Sequence, residues 1–397
     1  MNYTKWTATP SLPKMQASTA SARTGEITAL TSLRGIAAVG VLLLHFRDQF
    51  GTAINPDRLT PFFARSYLFV DFFFVLSGFV IALSYGHMFT KGIAWRDYHA
   101  FLIKRLARIY PLHIAMLAGF VASELAKYLV ATNANPPFSV NTATALLANV
   151  FLVQSWGFFD HYTWNHPAWS ISTEWFAYLL FPVLMLGLLR LRGLLPALLV
   201  AAACGAFLYI SFYLIPPEVA PGYFLLRCVP SFVLGILVFL CPTLMSPRAT
   251  RYFARDEAFS LALVVAFLCV SLPVPDVTSI IAFFFVVLAG SLNRGTVAKA
   301  LSIRPLYFLG MISYSIYLVH TLILRVWQML FQVVWHGHMG FVQGLLAFTV
   351  MMVAVLIAST LSYYYIEAPG RNYFGKFARR RAISAPVTAP VGGPEAA

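Results

Sequence analysis

Long apolar stretches alternate with short polar segments from residue 29 to residue 366 of the chain. A helix that crosses a bilayer needs roughly 17–25 mostly apolar residues. Ten stretches approach or reach that length, so the pattern predicts an all-α, polytopic membrane helix bundle of about ten transmembrane helices. The stretches are 29–46, 67–84, 105–130, 169–189, 194–215, 222–241, 258–272, 277–292, 306–330 and 341–366.

An eleventh stretch, 143–156, is shorter and contains two side-chain amides. The basic residues decide how it is interpreted, because cytoplasmic loops of membrane proteins are enriched in Lys and Arg. If 143–156 does not span, most basic loop residues fall on one side, and the opposite loops hold three, Arg47, Arg58 and Arg65. We therefore predict a short re-entrant or in-plane helix near 143–156 and a cytoplasmic location for both termini.

Three segments follow from this pattern. Residues 1–28 are predicted to be a disordered cytoplasmic tail, and residues 29–372 to be one transmembrane domain. Residues 373–397 are basic at first and then rich in Pro, Ala and Gly, which predicts a second cytoplasmic tail.

Composition excludes an ordinary soluble protein. Of 397 residues, 59% are hydrophobic and 11% are charged, whereas soluble domains carry about 25% charged residues. The net charge of +14 is explained by basic cytoplasmic loops or an anionic ligand on that side, and we expect no nucleic-acid partner. The four cysteines have no metal-ligand spacing, and no catalytic metal is expected.

Ionisable residues within apolar stretches are functional candidates, because a charge inside a bilayer is costly. Arg34 and His45 share the first predicted helix, and their eleven-residue separation corresponds to about 16 Å. Arg34 is thus predicted toward the cytoplasm, with His45 deeper and suited to proton transfer. The alternative is an arginine that reaches the membrane surface and a histidine with only a packing role.

Arg105 and Arg108 lie three residues apart at the predicted cytoplasmic end of the third helix. That spacing places both guanidinium groups on one helix face, where they could bind an anionic phosphate group. The alternative is that they only set the orientation of the helix. Glu124 and Lys127 have the same spacing and are interpreted as a local ion pair.

Glu174 lies near the outer start of the fourth predicted helix. A carboxylate at that depth could orient the imidazole of His45, or it could simply be favoured there by the helix dipole. Further candidates are Asp71, Ser313, Tyr314 and His320, although helix packing is an alternative role for the serine.

Five motifs in order resemble the acyltransferase-3 family of bacterial membrane O-acyltransferases. They are LTSLRGIAAVGVLLLHF (an Arg-x10-His helix), VDFFFVLSGF, RLAR, WSISTEW and ISYSIYLVH. The resemblance covers roughly residues 28–370 and implies a bacterial inner-membrane enzyme. It also implies transfer of an acyl group, usually acetyl, from cytoplasmic acyl-CoA to a hydroxyl of a cell-envelope or secreted carbohydrate or glycolipid.

Within that scheme His45 and Glu174 are the expected catalytic residues, with His45 as general base or acyl carrier. Arg34, Arg105 and Arg108 are expected to contact the donor. The competing hypothesis is a transporter or flippase of an envelope precursor, which would also have buried charges in a helix bundle. The sequence does not predict the oligomeric state.

Overall fold

The computed structural model describes residues 27–47, 57, 60–130, 138–139, 141–215, 220–334 and 340–383. These residues form helices and connecting turns, and no strand occurs among them. The α-helices are α1 (Thr28–Phe46), α2 (Phe62–Arg65), α3 (Phe69–Tyr85), α4 (Trp95–Val130), α5 (Ala143–Val150), α6 (Ala168–Leu188), α7 (Leu194–Tyr209), α8 (Leu225–Leu244), α9 (Pro247–Phe253), α10 (Asp256–Ser271), α11 (Asp276–Leu292), α12 (Thr296–Leu301), α13 (Arg304–Met311), α14 (Ser313–Val334), α15 (Phe341–Ser362) and α16 (Ala368–Ile383). The predicted all-α membrane bundle is confirmed.

Each of the ten apolar stretches corresponds to a helix or to a helix with a short break. Seven described helical segments are long and apolar enough to cross a membrane, and the bent pair α13 and α14 would make an eighth. The helices α10 and α11 have 16 and 17 residues, which is at the lower limit for a span. The count of ten spans therefore stays a prediction.

The stretch 143–156 contains only the eight-residue helix α5. Eight residues extend about 12 Å, far less than the roughly 30 Å of a hydrocarbon core. Buried polar contacts hold α5 against the bundle: His113 Nε2 lies 2.8 Å from the Asn149 carbonyl, and the Asn149 amide donates to Thr163. This short helix agrees with the predicted non-spanning element.

The α13–α14 bend interrupts the predicted continuous stretch 306–330 by a turn of 65°. At the break, the Gly310 carbonyl accepts hydrogen bonds from Arg34 Nη2 and from Ser313 Oγ, each at 2.8 Å. These side chains take the place of the amide that would bond to this carbonyl in an uninterrupted helix. The bend thus brings the start of α14 against α1.

The predicted ion pair between Glu124 and Lys127 is wrong. Glu124 pairs with Arg325 of α14, while Lys127 is exposed. The spacing of Glu124 and Lys127 along one helix favours a local ion pair by only about 0.2–0.5 kcal/mol. Arg325 from the neighbouring helix binds the Glu124 carboxylate in place of Lys127. The contact joins α4 to α14.

The C-terminal helix α16 crosses the predicted domain boundary at residue 372. It follows a π-helical turn, Tyr363–Glu367, and packs along α4. Gly370 lies against Pro111, because a Cβ at position 370 would be 2.5 Å from the proline Cβ. Of the two predicted tails, 1–28 and 373–397, residues 28 and 373–383 are helical, and residues 1–26 and 384–397 lie outside the described residues.

Candidate active site

Two adjoining cavities enter the bundle from the end at which α1 and α16 begin. The larger one, the basic vestibule, has a volume of about 800 Å³, and the smaller one, the inner cavity, has about 150 Å³. Residues shared by both linings join them into one passage; they are Arg34, Leu76, Val80, Arg105 and Arg108. The cations of the vestibule are Arg34, Lys104, Arg105, Arg108 and Arg371.

Arg34 lies where the two cavities meet and lines both of them. Its Nε donates to Ser313 Oγ at 2.9 Å, and its Nη2 donates to the Gly310 carbonyl at 2.8 Å. Both of these partners are uncharged groups, and they hold the guanidinium in place where the cavities meet. The structure thereby brings together Arg34 and Ser313, two residues predicted separately.

The two arginines of the RLAR motif have different environments. Arg105 donates to the Tyr85 hydroxyl at 3.1 Å and lies 4.9 Å from the centre of that ring. Arg108 forms an ion pair with Glu367, whose side chain is 1% exposed. Among the described residues no carboxylate pairs with Arg105, whereas the charge of Arg108 is balanced by that of Glu367.

Glu174 lines the inner cavity from α6. Its Oε1 atom accepts hydrogen bonds from Ser77 Oγ at 2.5 Å and from the Tyr178 hydroxyl at 2.6 Å. None of the described residues donates to Oε2. The carboxylate thus presents two different oxygens to the cavity. Oε1 is held by two hydrogen bonds, whereas Oε2 accepts none from the described residues.

Tyr314 and Tyr317 of α14 also line the inner cavity. The Tyr314 hydroxyl donates to the Ile109 carbonyl, which ties α14 to α4. The Tyr317 hydroxyl donates to the Pro167 carbonyl at 3.1 Å and shares a hydrogen bond of 2.8 Å with Ser170. Since Tyr317 is also 6.2 Å from the ring of His320, it lies between the inner cavity and that histidine.

His45 belongs to a cluster of three imidazoles, the histidine cluster, with His166 and His320. The His45 ring centre is 5.0 Å from that of His320 and 5.5 Å from that of His166. His320 is fully buried; its Nδ1 lies 3.1 Å from the Ile316 carbonyl, and none of the described residues forms a hydrogen bond with its Nε2. Donation from Nδ1 to that carbonyl leaves Nε2 as a lone-pair acceptor.

His166 lies in the loop before α6, outside the spanning segments. Burial, and to a lesser degree the neighbouring His45, lower the pKa of His166 to about 4. The Tyr162 ring covers it at a centre-to-centre distance of 3.8 Å. A neutral imidazole thus separates His45 from the partly exposed Tyr162.

The expected direct pair between His45 and Glu174 does not form among the described residues. Glu174 bonds to Ser77 and Tyr178, while the rings beside His45 are imidazoles. Because Ser77 projects from the neighbouring helix α3, the carboxylate has closer donors than an imidazole at the end of α1. Any influence of Glu174 on His45 is therefore indirect.

Asp71 lies outside both cavity linings. Its buried carboxylate binds Arg227 of α8 through both oxygens, with distances of 2.6, 2.9 and 3.0 Å. Arg227 also donates to the Tyr67 carbonyl at 3.0 Å. This geometry gives Asp71 a packing role between α3 and α8 rather than contact with the passage.

Sequence reasoning missed Tyr178, His166, Glu367 and Arg371. Tyr178 follows Glu174 by one helical turn, which is a usable signal. Glu367 is one of only 14 acidic residues and directly follows the last apolar stretch, which is a second usable signal. In the described ranges, no group of three or more His, Cys, Asp or Glu side chains has a metal-site arrangement.

The family described as an acyltransferase domain matches residues 27–364, nearly the whole described chain. The chain belongs to the acyltransferase-3 family. The acyltransferase MdmB of Streptomyces mycarofaciens is 29% identical over 92% of this chain and 96% of the relative. The putative membrane-bound transacylase BcsY of Komagataeibacter xylinus is 27% identical, over 91% and 88%.

A putative O-acetyltransferase of Staphylococcus aureus strain COL is 26% identical over 87% of this chain and 57% of that longer protein. No solved structure gives a match. Family membership and the apolar helices together make the chain an integral membrane acyltransferase that transfers groups other than amino-acyl groups. The enzyme hypothesis is thus preferred over the transporter.

Proposed function

We propose that the chain moves an acyl group, most simply acetyl, from cytoplasmic acyl-CoA to a hydroxyl of a cell-envelope or secreted carbohydrate. The continuous passage from the basic vestibule to the inner cavity carries this proposal. Phosphate groups of the donor suit the cations Arg34, Lys104 and Arg105. The uncharged pantetheine arm suits the narrower inner cavity, which is lined by aromatic and hydroxyl side chains.

His45 is the proposed general base. The acceptor oxygen attacks the thioester carbonyl carbon as its proton moves to His45, so that a C–O bond forms and the carbonyl electrons move to oxygen. Collapse of this intermediate breaks the C–S bond, and the proton on His45 passes to the departing thiolate. A positioned base of this kind contributes roughly 10²–10⁴-fold to the rate.

His320 is the proposed positioning residue for His45. Its buried Nε2 lone pair has no described donor and lies in the ring nearest to His45. After a small rotation of the His45 ring, one ring nitrogen of His45 donates a hydrogen bond to this lone pair. The other ring nitrogen of His45 is then free to take the proton from the carbohydrate hydroxyl. Glu174, with Ser77 and Tyr178, is proposed to shape the thioester path.

The proposed setting is the bacterial inner membrane, with both termini in the cytoplasm. The distribution of basic loop residues supports it. Single cysteines in a background without the four native ones test it: one at Ser139 should react with an impermeant thiol reagent in intact cells, and one at Ala249 should not. The reverse labelling would invert the topology.

Acyl transfer itself is tested with vesicles that contain the protein and receive [¹⁴C]acetyl-CoA on the cytoplasmic face. Label should appear in envelope glycans, together with one free CoA thiol per acetyl group transferred. Vesicles with no protein and vesicles with His45→Gln are the controls. Labelled glycan at equal levels in all three preparations would refute the proposal.

A further inference from the structure

The ion pair between Arg108 and Glu367 changes which residues remain to bind the donor phosphates. Glu367 lies at the end of the π-helical turn before α16, and its side chain is almost fully buried. Its Oε1 accepts from Arg108, and its Oε2 accepts from Ser315 Oγ at 2.8 Å. Because Arg108 is committed to this carboxylate, it adds no net charge to the basic vestibule.

Arg371 supplies the charge that Arg108 does not. It lies one helical turn after Glu367, and with Asn372 and Gly375 it forms the α16 wall of the vestibule. In the part of the chain that the structure describes, no carboxylate pairs with Arg371, and none lines the vestibule. Lys104 and Arg105 on α4 and Arg34 on α1 face the same space, so that, apart from Arg108, four cations from three helices surround it.

The position of α16 is fixed at two points by contacts with α4. The Arg108–Glu367 pair holds the start of the helix, and the close approach of Gly370 to Pro111 leaves no room for a side chain between them. The family match ends at residue 364, so this wall of the vestibule lies beyond the matched region. Arg371 is therefore a residue that the family motifs do not indicate.

We propose that α16 is part of the donor site: Arg371 binds a phosphate of acyl-CoA, and Arg108 is a positioning residue that acts through Glu367. This inference rests on the proposed function. The spacing of Glu367 and Arg371 explains why the pairing matters, since a glutamate four residues before an arginine is well placed to neutralise it. By occupying Glu367, Arg108 keeps the Arg371 charge available for phosphate.

The test is equilibrium binding of CoA, 3′-dephospho-CoA and pantetheine to the purified full chain in a non-ionic detergent. Arg371→Gln should raise the Kd for CoA about tenfold or more, the equivalent of one lost charge-assisted hydrogen bond. The Kd for pantetheine, which has no phosphate, should stay unchanged. Whether 3′-dephospho-CoA is affected identifies which phosphate Arg371 contacts. Arg251→Gln, at an exposed arginine of α9 away from the vestibule, is the matched control.

The positioning role has its own readout. Arg108→Gln frees Glu367 and should weaken CoA binding, whereas the double variant Arg108→Gln with Glu367→Gln should restore the Kd to within about threefold of wild type. A direct phosphate contact from Arg108 predicts no restoration, because both variants lack the guanidinium. Failure of the double variant to recover, in protein with wild-type thermal stability, overturns the positioning role.

Phosphate could also come from a lipid headgroup, so binding is repeated in nanodiscs that contain phosphatidylglycerol. If Arg371 serves only lipid, Arg371→Gln leaves the Kd for CoA unchanged in detergent, which overturns the inference while the proposed donor stands. If the wild-type chain binds no CoA in either medium, the proposed donor and this inference fail together. The two failures are thus distinguishable.

Discussion

The buried pair of Asp71 and Arg227 gives a stability prediction that also decides whether Asp71 is a site residue. The Asp71 side chain is 0% exposed and accepts three hydrogen bonds from Arg227, at 2.6–3.0 Å. Asp71→Ala removes all three and leaves the guanidinium with one described hydrogen bond, to the Tyr67 carbonyl. Breaking a buried pair in this way costs about 3–5 kcal/mol, which corresponds to a fall of roughly 5–10 °C in the unfolding temperature.

The assay is the fraction of purified protein that stays monodisperse on size exclusion after heating. The double variant Asp71→Leu with Arg227→Met should recover most of the loss, since apolar replacements of a buried ion pair are often neutral. If Asp71→Ala keeps the wild-type unfolding temperature and still loses acyl transfer, the packing role is refuted. Asp71 would then have to act on a substrate.

Three other changes have equally direct readouts. Gly78→Ala would place a Cβ 2.0 Å from the Phe232 carbonyl oxygen and should destabilise the α3–α8 contact by about 1–3 kcal/mol, which lowers the unfolding temperature. Gly205→Ala is the control: a Cβ at position 205 meets open space, and this change should not lower the unfolding temperature. Glu174→Gln keeps an oxygen for its two donors and should lose less acyl transfer than any variant that removes the imidazole of His45; a larger loss would make the carboxylate charge essential. Hydrogen bonds from the Thr296 and Asn293 side chains lower the pKa of Asp256 from its ordinary value of 3.8, so the stability that the ionised carboxylate contributes is complete above about pH 4 and is lost as the pH falls further. The difference in unfolding temperature between wild type and Asp256→Asn should therefore shrink from pH 6 to pH 3. A constant difference would contradict this prediction.

The helices were predictable because hydrophobic length alone identifies them. α1, α6 and α11 begin and end within one residue of the expected stretches. The α13–α14 bend was not predictable, since it depends on side chains from two helices meeting at the Gly310 carbonyl. Apolar periodicity carries no information on such contacts.

The candidate residues were easier to predict than their partners. Arg34, Arg105, Glu174, Ser313 and Tyr314 all line the passage, because charges and hydroxyls in apolar stretches are few. Pairings were predicted less well, since each depends on how distant helices pack.

Arg108 and Glu367 illustrate the limit, because they are separated by 259 positions along the chain. In the same way, His45 meets His320 of α14 and His166 of the loop before α6 rather than the expected carboxylate. Helical spacing relates residues within one turn or two of each other. It cannot relate residues on helices whose order in the bundle is unknown.

Acyl transfer by the His45→Gln variant tests the central claim most directly. Gln preserves side-chain volume and hydrogen bonding but supplies no base near pH 7, so transfer of [¹⁴C]acetyl from acetyl-CoA should fall by at least about 10²-fold. Thermal stability and CoA binding should stay at wild-type levels, because the imidazole lies away from the basic vestibule. Transfer within a few fold of wild type would contradict the account and show that His45 is not the base.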